Sequence, residues 1–297
     1  MVASVMFAAC GDDGGDGGDA ADAHIVYEAN DGARTNVYSV DSETQASVQL
    51  TQGESYDGQP AWSVDRERII YISDAGQAPN VTDVYTMAAD GSDVQRLTNT
   101  LDAAERSPKY APDGSRIAIA LLRGGEYFLA TLAPDGSDEQ VLAGPYEFVE
   151  FPSWRRDGQE IYFAAIGDGT QSIDILSVSP ATRDVTVRVS TPSPDVCPHF
   201  SFDEEYMTYA RSPSGPNDEP DIFRRPLASD DVSGVDDERL TDAEGRDDYA
   251  NPSSDDERYV FLSNRDGNFD LYLMDRDGGD VTRLTNTPDL RENVPDW

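Results

Sequence analysis

This sequence predicts an all-β ring, a six-bladed β-propeller built from four-stranded antiparallel blades. Three observations predict it. A marker of proline, any residue and an aromatic returns at a period in the forties. Short β-rich runs separated by Asp-Gly turns fill the intervals. No helical period of competing length is present.

The marker reads Pro60-Ala61-Trp62, Pro108-Lys109-Tyr110, Pro152-Ser153-Trp154, Pro198-His199-Phe200 and Pro295-Asp296-Trp297, with Pro252-Ser253-Ser254 as an eroded copy. Successive prolines lie 48, 44, 46, 54 and 43 residues apart, and the three tryptophans of the chain all fall on the aromatic position. After each marker comes a turn such as Ala111-Pro112-Asp113-Gly114, then a run such as Ile69-Ile70-Tyr71-Ile72 or Ile161-Tyr162-Phe163. A second run, such as Asp83-Val84-Tyr85-Thr86-Met87, ends in Asp-Gly at Asp90-Gly91, Asp135-Gly136 and Asp277-Gly278. Arg96-Leu97-Thr98 closes the unit and is echoed at Arg239 to Thr241 and Arg283 to Thr285. Runs of this length, rich in Val, Ile, Tyr and Phe, read as strands, and Asp-Gly suits tight hairpins because both central residues tolerate positive φ. A lone four-stranded blade leaves two apolar faces open, and closing six into a ring covers both.

The arithmetic also predicts how the ring closes. The chain begins at a second strand near His24 and ends in a first strand, residues 292–297, which should complete the blade whose other strands begin at His24, Asn36 and Val48. That pairing removes the edges an open ring would expose.

Pro-x-Trp followed by Pro-Asp-Gly, then Asp-Val-Tyr-x-Met-x-x-Asp-Gly-Ser, then Arg-Leu-Thr resembles the WD40-like repeat of TolB-type propellers, over residues 24–297. The resemblance implies a cell-envelope protein that binds other proteins, a Pal-like, peptidoglycan-associated partner among them. TolB proteins also carry an N-terminal α/β domain. Here the propeller starts at His24, so a TolB-like protein without that domain is implied.

Residues 1–23 form a separate segment. The apolar run to Phe7-Ala8-Ala9-Cys10 resembles a bacterial lipobox, which would make Cys10 the acylated residue. A Leu is usual where Phe7 stands, and no basic residue precedes the run, so the natural start is expected upstream of Met1. Residues 11–23 are Gly, Asp and Ala only; with no apolar surface to bury they read as a disordered tether of roughly 20 Å. The expected product is exported and lipid-anchored, on the periplasmic face of the outer membrane or the cell surface.

Asp and Glu total 58 against 22 Lys and Arg, a net charge of −36, and Lys109 is the only lysine. Such a field repels phosphate backbones and argues against nucleic acid as a partner. It favours solubility, a monomer, cations and basic partner surfaces. Three residues before the marker prolines stand Asp57, Glu105, Asp195 and Glu292, with Glu150 and Asp248 one residue off that slot. The slot leads into the innermost strand, so these acids are expected to rim the channel and to attract a basic side chain or a divalent cation such as Ca2+; no other cofactor is expected.

Signals for catalysis are sparse. The only histidines are His24 and His199, and neither Gly-x-Ser-x-Gly nor His-Glu-x-x-His occurs. Some relatives of the fold are oligogalacturonate lyases with a metal site of several histidines, which two do not supply. The trio Cys197-Pro198-His199 is read mainly as ordinary inner strand, residues 264–270 as a hairpin turn rather than a calcium loop, and Asp83, Asp174, Asp221 and Asp270 as structural acids opening third strands. The fifth unit carries excess polar sequence at 212–220 and 229–237, expected to add to a partner surface. The reading is a protein- or peptide-binding or scaffolding propeller, not an enzyme. The alternative is a metal-dependent enzyme or binder acting on an extracytoplasmic polysaccharide or peptide at the channel.

Overall fold

The computed structural model describes residues 23–77, 81–167, 172–213, 215 and 218–297. The β-rich runs form 24 strands in six four-stranded antiparallel sheets, and no helix occurs among the described residues. We number the blades from the one that joins the two ends of the chain. The innermost strands of blades 1 to 6 are Arg291–Asp296, Asp57–Trp62, Ala103–Tyr110, Phe148–Trp154, Asp195–Phe200 and Asp247–Pro252.

Middle strands are buried on both faces because every blade is sandwiched between two others. Ile161–Ile166 and Asp174–Val178 of blade 4 are therefore apolar almost throughout rather than alternating. The core is accordingly divided into six apolar clusters, one at each blade junction. Between blades 3 and 4, for example, Ala118, Ala120 and Leu129 meet Ile161, Phe163 and Leu176. The Asp-Gly hairpins fit this packing for two reasons. Gly136 has φ of +82°, and a Cβ there would lie 2.1 Å from the Leu97 carbonyl oxygen of the preceding blade.

Every innermost strand breaks register at one equivalent point. The breaks fall between Gly58 and Ala61, Arg106 and Lys109, Glu150 and Ser153, Val196 and His199, and Asp248 and Asn251, with a matching shift opposite Val26 and Glu28 in blade 1. Each is a β-bulge centred on a non-glycine residue in the left-handed region: Gln59, Ser107, Phe151, Cys197, Tyr249 and Val294, with φ of 51, 48, 57, 56, 55 and 46°. Five of the six immediately precede the marker proline. The sixth, Tyr249, precedes Ala250 and corrects the reading of the eroded marker. Its true copy is Ala250-Asn251-Pro252, so Pro252 occupies the aromatic position and Asp247, not Asp248, sits in the acidic slot.

Closure follows the expected route. The strand Arg291–Asp296 pairs antiparallel with His24–Asn30, with Glu292 opposite Ala29 and Asp296 opposite Val26. Trp297 is 7% exposed and packs at the junction of blades 6 and 1 with Ile25, Leu271 and Leu273. Replacing it by Ala should cost about 3 kcal/mol by the loss of a buried ring. Deleting residues 292–297 should cost more, because ladder hydrogen bonds go with it. Urea denaturation of wild type and both variants checks this; a truncated chain as stable as wild type would contradict closure by the C-terminal strand.

Candidate functional site

The four slot acids are almost fully buried: Asp57 is 6%, Glu105 1%, Asp195 0% and Glu292 1% exposed. They lie in the blade junctions and do not form an open ring around the channel. The glutamates reach back to the preceding blade: Glu105 accepts from the Thr98 and Thr100 hydroxyls at 2.9 and 3.0 Å. Glu292 accepts from Thr285, from Thr287 and from the Leu271 N–H. The aspartates also hold their own blade, and Asp195 in addition accepts from Thr191, in the segment leading out of blade 4, at 3.0 Å. Asp57 accepts from Ser73 at 2.6 Å, Asp247 matches it through Ser263, and Asp195 meets Arg211 at 2.7 Å. Of the two neighbouring acids, Glu150 accepts from Ser107 and pairs with Arg106, and Asp248 pairs with Arg246. Among the described residues no group of three or more His, Cys, Asp or Glu side chains is placed to hold a metal ion.

The bulge residues meet across the waist of the channel. Phe151 and Tyr249 meet edge-to-face at 5.5 Å, and both pack in one cluster with Cys197 and Val294. On the other side Gln59 accepts from the Ser107 N–H at 2.8 Å, and its own N–H donates to Glu28 at 2.8 Å. Glu28 also accepts from Tyr56 and Asn293. The sequence reading missed Glu28, since it lies in a second strand and outside the repeat slot.

Beyond the waist, where the innermost strands end, the channel opens into a funnel of about 350 Å³. Trp62, Tyr110, Trp154, Phe200 and Trp297 form its collar. The indole N–H groups help tie blade to blade: Trp154 donates to the Lys109 carbonyl and Trp62 to the His24 carbonyl, at 3.3 and 3.2 Å. The floor is polar and drawn from distant parts of the chain. Asp296 of blade 1 binds the Lys109 ammonium of blade 3, the Asn251 amide of blade 6 at 2.9 Å and the Trp62 backbone N–H of blade 2 at 2.8 Å. Burial pushes the Asp296 carboxyl up, but Lys109 and the Trp62 N–H outweigh it and hold the group below its ordinary range. His199 is driven down to about 3 by burial and by Lys109, so its ring is neutral. Its Nδ1 lies 3.1 Å from the Cys197 carbonyl oxygen, which only accepts; Nδ1 therefore carries the proton, and Nε2 is left as an acceptor. On the wall, the Arg156 guanidinium lies 3.4 Å over the Phe202 ring.

The remaining candidates divide as follows. Cys10 lies outside the described residues. Cys197 is buried, so the Cys197-Pro198-His199 trio presents only His199 to the funnel. Asp83 and Asp270 accept backbone N–H bonds from Thr100 and Thr287 and pair with Arg96 and Arg283. Asp221 pairs with Arg239, while Asp174 is buried near Ser190. Residues 264–269 make the turn between Arg258–Ser263 and Asp270–Asp275. In blade 5 the long connection at 229–237 is pinned rather than loose. Asp237 accepts from the Tyr209 hydroxyl at 2.5 Å and lies beside Arg211 and Arg225, while Val235 stays 81% exposed at the surface. Residues 214, 216 and 217 of the other blade-5 segment fall outside the described set.

Comparison with known proteins agrees with the geometry. The family model described as "TolB beta propeller domain" matches residues 21–179. The chain is 25% identical over 186 residues to a Bacillus subtilis protein named "Uncharacterized peptidase YuxL", covering 62% of this chain and 26% of that protein. It is 36% identical over 77 residues to the Tol-Pal system protein TolB of Francisella tularensis subsp. mediasiatica, covering 26% of this chain and 17% of that one. The chain thus spans about a quarter or less of these relatives. The crystal structure of TolB from Acinetobacter baumannii superposes with a TM-score of 0.78 at 15% identity, over 93% of this chain and 66% of that chain, a likeness of fold.

The buried slot acids make stability depend on pH. Burial raises Glu105 and Glu292 to about 7, against the threonine hydroxyls that hold them down, and raises Asp195 to about 6 despite Arg211. A carboxyl raised on folding binds its proton more tightly in the native state. Its favourable contribution is complete below the unfolded pKa and is lost as pH rises through the folded value. The urea midpoint should therefore fall between about pH 5 and about pH 8. Global repulsion in so acidic a chain acts in the same direction, so the Glu105→Gln, Glu292→Gln double variant isolates these groups. It should flatten the profile; an unchanged slope would contradict the assignment.

Proposed function

Because the chain belongs to the TolB β-propeller domain family, we propose that it is a protein- or peptide-binding module of the cell envelope, tethered to a membrane through lipidated Cys10. The observation that carries this reading is the funnel, a concave aromatic collar over a polar floor on a rigid six-blade ring. Aromatics that combine broad contact area with few rotatable bonds are the side chains on which protein recognition concentrates. Exposed Val64 and Phe202, 57% and 38% accessible, extend the apolar surface outward from the collar. The charge of −36 keeps the surrounding surface soluble and attracts basic partners. A Pal-like envelope protein fits this reading.

A second reading, a role in peptide processing, draws on the likeness to the peptidase-named relative. In it the funnel would admit a peptide and present it to a catalytic partner. Peptide hydrolysis by an envelope extract that rises when the purified protein is added would favour this reading.

One experiment tests the first. Express the gene from its natural upstream region, isolate membranes and crosslink. Wild type should sit in the membrane fraction with a reproducible protein partner, and Cys10→Ser should move to the soluble fraction. The Val64→Asp, Phe202→Asp double variant should stay on the membrane without its partner, whereas Val187→Asp, a 42% exposed site on an outer strand, should keep it. Capture unaffected by the funnel substitutions would contradict the proposed surface, and a Cys10→Ser protein still on the membrane would contradict the tether.

A further inference from the structure

Two features of the funnel restrict what can enter it. The first is topological. The waist is filled by Phe151, Cys197, Tyr249 and Val294 on one side and by the hydrogen-bonded Gln59 and Ser107 on the other. A polypeptide therefore cannot thread through. A peptide in the funnel stops at the floor of Lys109, His199, Asn251 and Asp296, which a chain end reaches without doubling back.

The second feature is the sign of the charge left unspent. Asp296 is the carboxylate of the floor, and its oxygens are committed to Lys109, Asn251 and the Trp62 N–H. An incoming ammonium would have to compete with all three. The cations have more to offer. An ammonium carries three donors, and Asp296 uses one of those on Lys109. Arg156 is solvent-exposed and lies over the face of Phe202; the Asp296, Asp256 and Glu204 carboxylates act on it from a distance, and the edge of its guanidinium, with no hydrogen bond or ion pair described, can take a carboxylate side-on. Lys109 and Arg156 face the same space, since both line the funnel. Neutral His199 adds no repulsion. In a chain of net charge −36, this concentrates uncommitted positive charge at the end of a blind pocket.

We propose that the funnel is a receptor for the free C-terminal carboxylate of a partner polypeptide, seated between Arg156 and Lys109 with its last side chain against the Trp62, Trp154 and Trp297 collar. The proposal rests on the reading of this chain as a protein-binding module and specifies its ligand. The outer surface sharpens the choice. Asp65, Asp113, Asp157, Asp203 and Asp255 sit on the turns just outside the collar, so a tail rich in further acids is disfavoured and one with basic or neutral residues upstream is admitted.

The protein carries its own reporter, because all three of its tryptophans line the funnel. Titrate it with N-acetyl-Ala-Ala-Phe as the free acid and as the C-terminal amide, and follow tryptophan emission. The free acid should give a saturable change and bind about tenfold more tightly than the amide, the scale of one charge-assisted contact. Arg156→Gln should lower the affinity for the acid to that for the amide, and Arg156→Lys should recover part of it. Inorganic phosphate alone should bind more weakly than the free acid. Equal binding of acid and amide, no response to either, or phosphate binding as tightly as the peptide would each overturn the proposal. Membrane crosslinking that still depends on Val64 and Phe202 would then show that the binding module stands and only its ligand was misassigned.

Discussion

The bulge before each marker proline is the constraint from which the rest of this structure follows. Six non-glycine residues, Val294 among them, adopt left-handed backbone at one ring of positions. Each costs roughly 1–2 kcal/mol relative to ordinary strand geometry, and in five of the six a following proline disfavours it further. Glycine would remove the strain, yet none of the six is glycine. What a glycine could not supply is the side chain. Phe151, Cys197, Tyr249 and Val294 pack together from four blades, the Gln59 side chain accepts from the Ser107 N–H, and the Ser107 hydroxyl holds Glu150.

Two consequences follow from placing an extra residue there. A bulge shifts the strand's alternation, so residues before and after it face differently from an uninterrupted strand. Upstream, the slot acids turn into the junctions, where Glu105 and Glu292 bind the threonines of the preceding blade. Downstream, the variable marker residue is aimed into the funnel, and Lys109, His199, Asn251 and Asp296 from four blades meet on one floor. The bulge thus closes the channel and furnishes the cup above it. A binding site is produced by the same residues that hold the ring together, which places Asp296, next to the last residue, among the most connected side chains in the protein.

Much of the architecture was legible in the sequence because it repeats. Proline spacing, Asp-Gly turns and the recurring tryptophan position gave six blades, and counting strands gave closure through residues 292–297, one residue later than the observed strand Arg291–Asp296. The exceptions have physical reasons. Positive φ is advertised by glycine, and here it is carried by Gln, Ser, Phe, Cys, Tyr and Val, so the bulge was silent. Without the bulge, two-residue periodicity puts Asp57, Glu105, Asp195 and Glu292 at an open rim and not in the junctions. Pro252 misled the register of the last complete unit because a proline replaces the aromatic there and alanine replaces the marker proline. The funnel floor could not be read at all: Lys109 and Asp296 are 187 positions apart, and only ring closure brings them together.

The central claim, that the left-handed ring seals the channel and makes the funnel blind, is tested most directly by the reactivity of Cys197. This residue sits in the seal and is 1% exposed, with burial pushing its thiol well up. In a Cys10→Ser background it is the sole thiol. Its labelling by a small maleimide should be negligible in the native protein, should appear only as urea unfolds the ring, and should become measurable under native conditions when Phe151 and Tyr249 are both replaced by alanine. Labelling of the native protein at the rate of the urea-unfolded chain would mean an open channel and would contradict the account.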